Sequence, residues 1–64
     1  MPETNRYAID PDSLEGCRIR VSFHFRELQR ETNPIVRANI AQYLAEATAS
    51  LALLEAEEAR KIAM

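Results

Sequence analysis

Cys17, Ile19, Val21, Phe23 and Phe25 alternate with Arg18, Arg20, Ser22 and His24. A period of two sets an apolar face against a polar face along an extended chain. β-branched and aromatic side chains favour such a pleated surface. The pattern predicts a strand over residues 17–25. A shorter alternation, Tyr7 and Ile9 against Arg6 and Ala8, predicts a companion strand over residues 6–9. The two would pair as a hairpin, or the longer one would pair with its counterpart in a second chain. Between them, Asp10-Pro11-Asp12-Ser13 carries turn chemistry: proline pre-sets φ, and Asp and Ser side chains bond to nearby backbone. Gly16, the one glycine, is the natural place there for a positive φ. Residues 1–5 are polar and are expected to be disordered.

Residues 26–31 are polar apart from Leu28 and read as a loop, with room for one helical turn. Asn33 is a good N-cap, and Pro34 suits the first helical position, where a missing N–H costs nothing. Residues 35–62 contain neither glycine nor proline and are rich in Ala, Leu, Glu, Gln and Arg, strong helix formers. Arg60 and Lys61 complement the helix dipole in the last turn, and Glu57 stands four residues before Lys61. At 100° per residue, Val36, Ile40, Tyr43, Leu44, Ala47, Leu51, Leu54 and Ile62 form one stripe, expected to pack on the apolar strand face. Nearly opposite runs a second stripe, Ala38, Ala45, Ala49, Ala52, Ala56, Ala59 and Ala63. From Ala45 onward it has the spacing of a heptad written in alanine. Small residues let backbones approach, so Ala45, Ala49, Ala52, Ala56 and Ala59 are candidates for self-association. The bland alternative is a solvent face filled with the best helix former. Glu46, Glu55, Glu57 and Arg60 flank this stripe.

The fold class expected is α+β: a β-strand or β-hairpin packed on one long C-terminal helix, with residues 6–64 forming a single β-β-α domain. About 28 helical residues span roughly 42 Å. A compact chain of this length has a radius of gyration of about 11 Å and so a diameter near 28 Å. The helix should overhang its own domain, and a homodimer would support the overhang. A break near residues 48–50 is the other solution, though no residue there demands one.

With 64 residues, one domain is the ceiling. Such a domain buries only about 60% of its unfolded surface, and small domains usually gain stability from disulfides, a metal or oligomerisation. One cysteine allows no internal disulfide, so oligomerisation is the aid left open. A net charge of −2 argues against a general nucleic-acid or membrane-surface binder, while leaving room for a local basic patch. No export signal and no membrane span of ~20 apolar residues are visible. With a lone cysteine, that predicts a reducing, cytoplasmic setting.

The polar strand face would align Arg18, Arg20, Ser22 and His24 as a binding edge for a protein partner or nucleic acid. The bland reading is a solvated face. In ribbon-helix-helix proteins a paired strand enters the major groove, where Arg reads guanine. That fold also needs two helices after the strand, and only one is evident here. Cys17 and His24 are the only soft metal ligands, and an odd separation puts them on opposite faces of a strand. They therefore supply neither a zinc site nor a nucleophile–base pair, and Cys17 reads as a small core residue. Asp10, Asp12, Glu27 and Glu31 have no spacing suited to paired acid–base work, and no phosphate loop is present. No enzyme, metal or cofactor is expected.

The run Arg18-Ile19-Arg20-Val21-Ser22-Phe23-His24-Phe25, followed after five residues by Glu31-Thr32 and an apolar-periodic helix, resembles the small transposon-encoded TnpW-like proteins. The likeness covers residues 17–44, and the spacing from His24-Phe25 to Glu31-Thr32 is its specific part. The chain departs from the pattern in Pro34 and in a helix that continues well beyond Leu44. The family has no established activity to carry over. The resemblance implies a mobile-element or phage-like setting and an accessory, regulatory or host-countering role. Taken together, the sequence predicts a non-enzymatic dimeric protein that acts by binding a protein partner, with blocking or modulating a host or element-encoded complex as the expected role. The alternative is a small dimeric nucleic-acid-binding regulator using the paired strand.

Overall fold

The computed structural model describes residues 9–63, and both of its regular elements are helices. Helix α1 (Leu14–Arg30) and helix α2 (Pro34–Ala63) form an antiparallel hairpin through Glu31, Thr32 and Asn33. The α+β expectation is overturned: there is no strand among the described residues. The predicted strand over residues 17–25 is the body of α1, and most of the predicted loop over residues 26–31 is its last turns. The companion strand falls mostly on residues 6–8, outside the described residues, as do residues 1–5. Ile9 has no regular structure.

Two properties of the chain explain the helix. The period-two pattern hides a second one: Leu14, Cys17, Val21, His24 and Leu28 recur at intervals of three and four. On a helix they fall within an arc of about 80°. The backbone decides between the two patterns. A helix satisfies its own N–H and C=O groups, whereas a strand needs a partner strand to do so.

Both ends of α1 are well capped. Ser13 is the N-cap, and its Oγ accepts a hydrogen bond from the Gly16 amide at 3.0 Å. The Ser13 amide and hydroxyl donate to the Asp10 carbonyl at 3.0 and 2.7 Å. The Asp12 amide donates to the Asp10 carboxylate at 2.9 Å, so the turn forms as its residues predict. Gly16 serves a different purpose from the one expected. It lies inside the helix without positive φ, buried under the turn. A Cβ there would run into the Asp10 carbonyl and lie 2.8 Å from Pro11 Cα. At the other end, the Arg37 guanidinium donates to the carbonyls of Leu28 and Glu31, the latter at 2.8 Å. These are carbonyls a helix C-terminus leaves unpaired, so Arg37 ties α2 to the end of α1.

Asn33 caps α2 as expected: its Oδ1 accepts from the amides of Ile35 and Val36 at 2.9 and 3.4 Å. The helix runs unbroken through residues 48–50, where Thr48 Oγ1 donates back to the Leu44 carbonyl at 2.7 Å. Its predicted apolar stripe faces α1 instead of a strand. Cys17, Ile40 and Ala47 are buried, while Leu14, Val21, Leu28, Leu44, Leu51 and Leu54 are half-buried. Val36, Tyr43 and Ile62, assigned to the same stripe, are exposed. The 30 residues of α2 span about 45 Å against about 26 Å for the 17 of α1. The C-terminal end of α2 therefore projects past the start of its partner. The molecule measures 43 × 36 × 13 Å. Its thin dimension is close to one helix diameter of about 10–12 Å.

Candidate interaction surface

The helix breaks up the expected binding edge. Residues two apart on a helix point about 200° apart, so Arg18 and Ser22 face one way and Arg20 and His24 another. No row of four forms. Arg18 turns to α2 and makes a two-pronged ion pair with Glu55, Nε to Oε2 at 2.8 Å and Nη2 to Oε1 at 3.0 Å. This hydrogen bond, helped by the charge of Arg18, holds the Glu55 carboxyl below its usual range. The reciprocal bond raises Arg18 further above its ordinary value. Both groups are well solvated, so the pair adds orientation more than stability. Ser22 is exposed, and its carbonyl accepts from Arg26 Nε at 3.4 Å.

Arg20 and His24 lie beside the α1–α2 seam. Arg20 Nη2 lies 3.4 Å from the Cys17 sulfur, and its Nε has no hydrogen-bond partner among the described residues. His24 Nδ1 is 3.0 Å from a Glu27 carboxylate oxygen, and the imidazole stacks on Tyr43 with centroids 6.0 Å apart. Phe23 meets His24 edge-on at 5.6 Å. Three rings drawn from both helices thus form a continuous aromatic ledge.

That ledge is the centre of a larger surface. One flat side of the hairpin carries Ile19 and Phe23 from α1, with Val36 and Tyr43 from α2 and Leu53 at its outer margin, all exposed. Phe23 is 50% and Tyr43 58% accessible, unusual openness for large rings, and few apolar residues are buried among the described residues. Two shallow grooves score the same side. One, of about 290 Å³, lies between Ile9, Pro11, Gly16, Ile19 and Arg20. The other, of about 310 Å³, runs from Asp12, Cys17 and Arg20 to Ser50, Leu53, Leu54 and Glu57 on α2. Both are open troughs, unlike the enclosed, polar-studded pockets that hold small molecules.

Sequence reasoning assigned Ile19 and Phe23 to a strand's inner face and Tyr43 to the helix core, and left Leu53 out of both stripes. The available signal was arithmetic. The helical arc containing Cys17 and Val21 does not include Ile19 or Phe23. The alanine stripe behaves differently: Ala45, Ala49, Ala52, Ala56 and Ala59 are all exposed on the side of α2 turned away from α1. Cys17 is buried and unpaired by any disulfide, in its expected core position.

Among the described residues no group of three or more His, Cys, Asp or Glu side chains gathers to hold a metal. Among them, too, no helix is long and apolar enough to cross a membrane. No family model, curated protein or solved structure matches the chain.

Proposed function

We propose that this chain is a non-enzymatic interaction protein of the cytoplasm, whose working surface is the aromatic side of the hairpin around Phe23, His24 and Tyr43. The half-exposed ring ledge is the observation that carries the reading. An isolated hairpin leaves this apolar ground in water, whereas a protein surface of matching shape would cover it. Aromatic anchors at the centre of a patch with charged margins are the usual anatomy of a protein-binding site. Arg20, Arg26, Glu57 and Lys61 supply the margin. The resemblance in residues 17–44 suggests a mobile-element setting and an accessory or host-countering role. The nucleic-acid alternative depended on a paired strand, and that strand is a helix.

Photo-crosslinking in cells tests the reading. A benzophenone amino acid in place of Phe23 should give discrete protein adducts. The same group in place of Ala49, on the far side of α2, should not. Absence of adducts from position 23, or the same adducts from both positions, would overturn the assignment.

A further inference from the structure

We draw no further inference here: the strongest candidate, the exposed aromatic side of the hairpin around Phe23, His24 and Tyr43, belongs to the surface already described, and nothing in the structure shows what covers it.

Discussion

Gly16 shows how one residue fixes the entry to the fold. In an exposed helix interior, replacing glycine by alanine gains about 1 kcal/mol from propensity alone. Here the new methyl would meet the Asp10 carbonyl and Pro11 Cα. Both are backbone atoms, held by the bonds from Ser13 and Asp12 to Asp10. Accommodation requires moving the turn, which loosens the N-cap; capping interactions of this type are worth about 1 kcal/mol. Gly16→Ala should therefore destabilise the protein by about 1–2 kcal/mol in urea or thermal unfolding. A gain in stability would mean that the turn is not seated on the helix. The sequence correctly marked Gly16 as special but for the wrong reason: backbone freedom was legible from composition, whereas close approach depends on a neighbour that only the fold provides.

The two helices differ in how openly the sequence declares them. For α2, the Asn33-Pro34 start, the run without glycine or proline and the single 3.6-residue stripe all agree, so its bounds were legible to within a residue or two. For α1, two periods coexist in the same nine residues. β-branched and aromatic content favoured the strand, while the capping signal at Ser13 and the arc from Leu14 to Leu28 favoured the helix. The backbone's need for partners decides for the helix, and alternation alone does not reveal that need. Misreading α1 displaced the candidate site with it, because a strand aligns Arg18 with Arg20 and a helix separates them. The two sides of α2 give a direct check. Ala47 is buried against α1 and Ala49 is exposed. Ala47→Leu should force the helices apart at a cost of about 1–3 kcal/mol. Ala49→Leu should stay within about 0.5 kcal/mol. Equal effects in denaturant unfolding would contradict the packing direction.

A hairpin whose buried apolar set is Cys17, Ile40 and Ala47 has little interior to hold it together. Either its helices are only marginally stable or their stability comes from association. The second case has a thermodynamic signature. If folding and dimerisation are one event, mass action makes the melting temperature rise with concentration. For 128 residues unfolding together, the enthalpy is about 90 kcal/mol, which gives a rise of about 5 °C per tenfold concentration. Circular dichroism melts at three concentrations a decade apart should show this slope in the native chain. A native chain that melts sharply at a temperature independent of concentration would show that one hairpin is sufficient. The aromatic side would then be open ground kept for another protein, at a cost in solubility that its margin of arginines and glutamates offsets.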